Sequence, residues 1–287
     1  MTVAQAIRDA AAALAQTSDT ARLDAEVLMA HALGCSRTDL LLRHMQGDAP
    51  EGFAALLERR LAHEPVAYIV GSQEFYGLDL AVSPAVLIPR GDSETLIDAA
   101  RERLASHPPQ RILDLGTGSG ALLLAALSIW PEAEGIGIDR SPEVLAIAAA
   151  NGARHAPNAR FLQADWTKAG WNDGLGAFDL ILANPPYVED AADLAPSVRA
   201  HEPAGALFAG PDGLDDYRLL IPQLPGLLAD CGIAMVEIGW TQAEPVIALA
   251  TASNCAAILH HDLAGRSRAI EMAKNRIIPL GKAAADD

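Results

Sequence analysis

Ile112-Leu113-Asp114-Leu115-Gly116-Thr117-Gly118-Ser119-Gly120 decides the fold: a mostly apolar run ends in glycines at alternate positions and opens onto the apolar stretch Ala121–Ile129. Such a run suits a buried strand. The glycines let backbone N–H groups approach a ligand at the N-terminus of the helix that follows. The same texture recurs downstream, with strands expected over 135–138, 160–163, 178–183 and 233–238 and helices from Ser119, from Pro142 and near 213–229. Strands alternating with helices imply a mostly parallel, doubly wound sheet. Residues 256–261 and 268–273, joined by Asp262-Leu263-Ala264-Gly265, read as an antiparallel pair that closes it.

Upstream the pattern is helical. Thr2 is placed to cap a helix with Val3, Ile7, Ala11 and Leu14 on one face, and Asp19 or Thr20 a second with Leu23, Val27, Leu28 and Leu33 inward, stopped by Gly34. A short helix is expected after Ser36, and another after Pro50 with Phe53, Leu56, Leu57 and Leu61 as its stripe. Tyr68, Ile69, Val70, Phe75, Tyr76, Leu78, Leu80 and Val82, broken by Gly71 and Gly77, suit a hairpin or extended linker. A helix from Asp92 to Ser106 follows. The resulting division is a helical partner-recognition domain over 1–72, a β-hairpin linker over 73–89, a catalytic domain over 90–280 and a disordered tail over 281–287.

Composition narrows the function. Against 21 basic residues stand 37 acidic ones, a net charge of −16 that repels phosphate backbones and argues against direct nucleic-acid binding. No apolar stretch reaches the roughly 18 residues of a membrane span, and the N-terminus lacks the pattern of a secretory signal, so a cytoplasmic protein is expected. Cys35, Cys231 and Cys255 lack CxxC spacing and read as buried thiols, and the histidines assemble no metal site.

Gly116, Gly118 and Ala121 satisfy the dinucleotide pattern, and Asp139 lies 23 residues beyond Gly116, near the spacing of a ribose-binding acid. A nicotinamide enzyme fits these residues as well as a methyltransferase does. Asp139 also suits the start of the next helix, before Ser141-Pro142. Asp165-Trp166, after the third strand, offers a carboxylate and a large ring to an adenine amino group and its flat face.

The fourth strand separates the two chemistries. Asn184-Pro185-Pro186-Tyr187 directly follows the apolar run Phe178–Ala183, where open α/β sheets place their chemistry. The Asn184 side-chain oxygen and the Pro185 carbonyl suit the two N–H groups of a planar NH2 acceptor, and Tyr187 suits its face. Hydride transfer needs no such clamp. Residues after it, His201-Glu202-Pro203 and Asp212-Gly213-Leu214, lie in a long connection that shapes a cleft, with Glu202 either touching the acceptor or solvated.

Flanking motifs carry a resemblance. Pro65-Val66-Ala67-Tyr68-Ile69-Val70-Gly71, Glu74-Phe75-Tyr76-Gly77, Val86-Leu87-Ile88-Pro89-Arg90, the loop 114–120, Asn184-Pro185-Pro186-Tyr187-Val188, Glu202-Pro203 with Leu207-Phe208, Asp212-Gly213-Leu214, Glu237-Ile238-Gly239 and Asp262-Leu263-Ala264-Gly265-Arg266 together resemble the peptide chain release factor glutamine N5-methyltransferases, the PrmC/HemK type. The resemblance implies a helical N-terminal domain that recognises the partner and a Rossmann-like domain that uses S-adenosylmethionine, leaving S-adenosylhomocysteine. Its acceptor would be the glutamine in the Gly-Gly-Gln loop of class I release factors. By position, the loop from Asp114 through Gly116, Thr117, Gly118, Ser119 and Gly120 would hold the methionine part, Asp139 the ribose, Asp165 and Trp166 the adenine region, and Asn184 to Tyr187 the glutamine amide, with Asn184 touching the cofactor as well. A ribosomal-protein glutamine and a nucleic-acid adenine are the rival acceptors. One departure is Gly91-Asp92-Ser93-Glu94, where the family usually has proline first, so a more mobile loop is expected there.

Overall fold

The computed structural model describes residues 1–275, so the tail expected over 281–287 lies outside the described residues. The chain divides into two compact units, one of residues 1–89 with 191–207 and one of residues 90–190 with the chain from Phe208 onward.

In the first unit, Thr2 accepts from the Gln5 backbone while the Gln5 side chain accepts from Thr2 N at 3.0 Å, a reciprocal cap that starts helix Val3–Leu14. Helix Ala21–Leu33 packs on it and ends at Gly34, whose φ of +66° glycine adopts without strain. The helix faces inward through Asp24, Ala25, Leu28 and Met29, and Leu23, expected inside, is 43% exposed. Its phase is set by a buried ion pair: Arg60, from helix Phe53–Leu61, donates Nε to Asp24 Oδ2 at 2.8 Å. Leu61, also expected inside, is exposed on that helix. The apolar residues meet in one cluster of Val3, Ile7, Leu28, Met29, Leu40, Phe53 and Ile69.

Tyr68-Ile69-Val70 reads as extended but belongs to helix Val66–Val70. Pro65 O accepts from the backbones of Tyr68 and Ile69, and burial of Ala67, Tyr68 and Ile69 outweighs the strand preference of branched and aromatic side chains. The hairpin follows: β1 Ser72–Phe75 pairs antiparallel with β2 Leu78–Ala81. Tyr76 and Gly77 both take positive φ in the two-residue turn, the geometry that matches strand twist.

The second unit holds seven strands, β3 Arg111–Leu115, β4 Glu134–Asp139, β5 Arg160–Gln163, β6 Phe178–Ala183, β7 Leu228–Glu237, β8 Cys255–His261 and β9 Ser267–Lys274. Their order is β5-β4-β3-β6-β7-β9-β8, with β5 through β7 mutually parallel and β9 antiparallel to both its neighbours. From β3 the chain winds outward through β4 to β5, then returns to β6 on the other side. The C-terminal ends of β3 and β6 therefore form a topological switch point, where such sheets open a crevice.

Helices Ala121–Ile129 and Pro142–His155 link the strands of the first half. The helix expected near 213–229 is broken into Asp215–Leu220, a 3-10 turn at Ile221–Gln223 and Leu224–Leu227, because Pro222 and Pro225 lack the N–H that would continue it. Helix Ala243–Ala252 is not foreshadowed in the sequence. Only Val246 and Ala250 of it are buried, and no side chain caps it. Of the three cysteines, Cys255 is buried but Cys231 is exposed, against expectation, since it sits in the exposed entry to β7.

Candidate active site

Register puts the predicted site residues side by side. Leu115 pairs with Ala183 and with Ile138, and Ala183 pairs with Val236. Gly116, Asp139, Asn184 and Glu237 are thus the next residues on four adjacent parallel strands, all at the edge where the crevice opens.

The cofactor end is a backbone device. Gly116, Gly118 and Gly120 have φ of +72°, +56° and +87°, which only glycine adopts freely. At Gly116 space is as strict as torsion: a Cβ there would lie 3.1 Å from Cη2 of Trp166, whose ring covers the loop. Trp166 donates Nε1 to Asp216 Oδ1 at 3.2 Å, fixing the ring in its plane. Asp165 lies beside it, its carboxyl held below the usual range by the hydroxyl and backbone N–H of Thr167.

Asp139 keeps its carboxylate at the strand end, with Oδ1 accepting from Ser141 N at 3.0 Å and Oδ2 from Gly118 N at 3.3 Å. The helix behind it is capped by Ser141, which accepts from Val144 N, so Asp139 is free of capping duty. Asp114 is buried under the loop: Oδ2 accepts the Thr117 hydroxyl at 2.7 Å, and Oδ1 has no partner among the described residues. Burial pushes its pKa up to about 7, against the Thr117 hydrogen bond. Thr117 and Ser119 are buried and hold the loop together, Thr117 through Asp114 and Ser119 through its carbonyl, which accepts Asn151 Nδ2 at 2.9 Å.

The acceptor end is a side-chain device. Pro185 is buried, while Asn184, Pro186 and Tyr187 are half-buried. Asn184 donates Nδ2 to Ser93 Oγ at 3.3 Å, which leaves Oδ1 as the acceptor that its amide presents. Tyr187 donates its hydroxyl to Glu237 Oε1 at 3.2 Å. Burial and the Glu237 charge push the Tyr187 hydroxyl pKa far up, so it stays protonated and serves as no base near neutral pH.

Gln242 locks the clamp from behind. Its Nε2 donates to the carbonyls of Tyr187 at 3.0 Å and Gly213 at 3.2 Å, and its Oε1 accepts Gly239 N at 3.0 Å. Gly213, with φ +68°, passes so close to the Tyr187 carbonyl that no Cβ fits. Gly91 meets no such constraint, yet the turn Gly91–Ser93 is not loose: Ser93 is buried, and Asp92 is paired with Arg268 at 2.8 Å. Glu202, for which solvation was one reading, is buried. Sequence reasoning gave no role to Ser93, Gln242, Glu237 and Arg268. Only Glu237 carries a local signal, a carboxylate that directly follows the apolar stretch 233–236 at the sheet's functional edge. Among the described residues no group of three or more His, Cys, Asp or Glu is placed to hold a metal ion.

Known proteins resemble this chain in sequence. The chain matches the PrmC N-terminal domain over residues 5–71 and a methyltransferase domain over residues 106–236. It is 41% identical to a release factor glutamine methyltransferase of Geobacter sulfurreducens over 80% of this chain and 81% of that one. To the release factor glutamine methyltransferase of Caulobacter vibrioides it is 39% identical over 90% and 91%. The chain belongs to the release factor glutamine methyltransferase family. It is an S-adenosylmethionine-dependent methyltransferase.

A solved methyltransferase of Pyrococcus furiosus shares the fold of this family member, with a TM-score of 0.51 and 17% identity over 78% of this chain and 100% of that one. The cofactor end fits the group: a buried acid in Asp114 with one unpartnered oxygen, a glycine loop held at positive φ, and a carboxylate at Asp139. No helix among the described residues is long and apolar enough to cross a membrane.

Proposed function

We propose that this methyltransferase transfers a methyl group to the side-chain amide nitrogen of the glutamine in the Gly-Gly-Gln loop of class I release factors. The observation that carries the reading is the polarity of the clamp: Asn184 ties its N–H end to Ser93 and so offers an oxygen beside the glycine loop. The family relatives, named for release factor glutamine, supply the substrate class.

An amide nitrogen is a poor nucleophile because its lone pair is delocalised into the carbonyl. Asn184 Oδ1 takes one N–H of the acceptor and the Pro185 carbonyl takes the other, aligning the nitrogen and stabilising positive charge as it builds. Pro186 stiffens the turn, and Tyr187 packs against the planar group. The cofactor supplies an electrophilic sulfonium methyl. When bound, its methionine part would be held by Gly116 to Gly120 with Asp114 toward its ammonium, its ribose hydroxyls by Asp139, and its adenine region by Asp165 with Trp166. The methylated nitrogen is acidic enough to lose its proton to water, so no base is drawn from the protein. The helical unit over 1–72 recognises the partner, and the reaction belongs to the cytoplasm, where release factors work.

Incubation with labelled S-adenosylmethionine, purified release factors and ribosomal proteins tests this. Label in release factor is expected. Label confined to a ribosomal protein, or to nucleic acid, would overturn the reading.

A further inference from the structure

The glycine loop at the cofactor end is shaped by its own backbone, but the ring that covers it is held from elsewhere. Trp166 lies in the segment after β5, outside any helix or strand, and side chains from the connection between β6 and β7 hold both its main chain and its ring. Gln223 Nε2 donates to the Trp166 carbonyl at 3.2 Å and to the Leu219 carbonyl at 2.7 Å, while its Oε1 accepts Trp171 Nε1 at 2.6 Å. Asp216 Oδ1 accepts the indole N–H of Trp166 at 3.2 Å. The six-membered edge of the same ring, Cη2 and Cζ3, lies against Gly116. The indole therefore spans from the helix Asp215–Leu220 to the glycine loop, with its single donor committed to a carboxylate.

The helix alone does not account for that carboxylate. Asp215 and Asp216 both lie in the first turn of Asp215–Leu220, where an acid is stabilising. Asp215 meets that need from the outside, paired with Arg218 at 3.0 Å, whereas Asp216 is half-buried and turned to the indole. Burial raises the Asp216 carboxyl pKa, and the charges of Asp215 and Asp165 add to the rise, against the Trp166 hydrogen bond and Arg140. Burying a carboxylate beside like charges is costly, and the indole N–H is the contact that offsets it. We propose that Asp216 is a positioning residue for the adenosine part of the cofactor: by holding the Trp166 N–H it keeps the indole in place as a fixed wall beside the glycine loop. Gln223 anchors the main chain of the same wall. A large ring free to turn would lose that freedom each time cofactor binds, so a ring locked beforehand raises affinity. The inference rests on the adenine region lying at Trp166.

Calorimetry measures S-adenosylmethionine affinity for the unmodified protein, Asp216→Ala, Asp216→Asn, Trp166→Phe, Trp166→Ala and the Trp166→Phe/Asp216→Ala double variant. No acceptor is present, so the result is independent of which acceptor is methylated. Asp216→Ala should weaken binding about three- to tenfold, the scale of one hydrogen bond. Asp216→Asn, whose side-chain oxygen still accepts the indole N–H, should restore most of it. Trp166→Phe keeps a ring but has no N–H to hold, so adding Asp216→Ala to it should change affinity no further. A purely structural role for Asp216 would instead weaken both backgrounds alike. 5′-Methylthioadenosine, which carries the adenosine but not the amino-acid part, should lose the same factor in Asp216→Ala. An affinity in Asp216→Ala equal to or above that of the unmodified protein, no recovery in Asp216→Asn, a loss that spares 5′-methylthioadenosine, or equal losses with and without the indole N–H would overturn the proposal. Unchanged affinity in Trp166→Ala would instead overturn the placement of the adenine region beneath it.

Discussion

The two ends of the crevice are built differently. At the cofactor end, three positive-φ glycines and a strand-end carboxylate lie within 26 residues of one another, from Asp114 to Asp139, and the geometry is set mainly by backbone. At the acceptor end, four contiguous residues are held by side chains from far away: Ser93 is 91 positions from Asn184, Glu237 50 from Tyr187, and Gln242 55 from Tyr187. A ligand common to many enzymes is met by a local motif, whereas the acceptor is met by an arrangement that requires the whole sheet to have folded.

That difference can be broken by mutation. The largest effect is expected at Asn184→Ala, which removes the oxygen that aligns the acceptor: transfer should fall by about 10²–10³-fold or more, while calorimetry still finds S-adenosylmethionine bound. Loss of cofactor binding in that variant would show that the two ends are not separate devices. Gly116→Val comes next, since it forces a branched residue into φ +72° and drives Cβ toward the Trp166 ring. Cofactor affinity should drop roughly tenfold or more, with strain of about 1–2 kcal/mol from the backbone alone.

Smaller is the expected loss in Gln242→Ala, which frees the Tyr187 and Gly213 carbonyls together. Buried carbonyls left without a donor cost about 1–3 kcal/mol, read as a lowered midpoint in urea, and transfer should weaken several-fold while cofactor affinity holds.

The subtlest test sharpens the cofactor end. Asp114 ionises at about 7 in the folded protein against 3.8 ordinarily, so between these values the native state holds a proton that the unfolded chain has released. Its contribution therefore lowers stability as pH rises from about 4 to about 7 and is level above that. In Asp114→Asn, melting temperature should lack this part of the slope. A slope unchanged from the parent protein would mean that Asp114 does not titrate in that window.

How much was legible follows the same division. Strands β5 and β6 have the bounds read from the sequence, and for β6 the reason is plain, because a parallel strand buried on both faces reads as a continuous hydrophobic segment. The glycine loop and the Asn184-Pro185-Pro186-Tyr187 turn are contiguous, so their chemistry is visible before folding. Ser93, Gln242 and Arg268 give no such signal, for each is an ordinary polar residue until β3, β6, β7 and β9 bring it to the clamp. The helical unit shows the other limit. Leu23 and Leu61 fit an apolar stripe by spacing, but the Asp24–Arg60 pair turns the helix so that a carboxylate is inside and a leucine outside. Val66–Val70 coils although its side chains favour strands, since the burial of Tyr68 and Ile69 decides.

The central claim is that the clamp after β6 presents a glutamine amide to the methyl group. Tandem mass spectrometry of a release factor, after incubation with this enzyme and S-adenosylmethionine, tests it at the level of the atom. A single added methyl on the side-chain nitrogen of the Gly-Gly-Gln glutamine, absent with Asn184→Ala, is the expected result. A methyl on any other residue, or the same modification with Asn184→Ala at full extent, would contradict it.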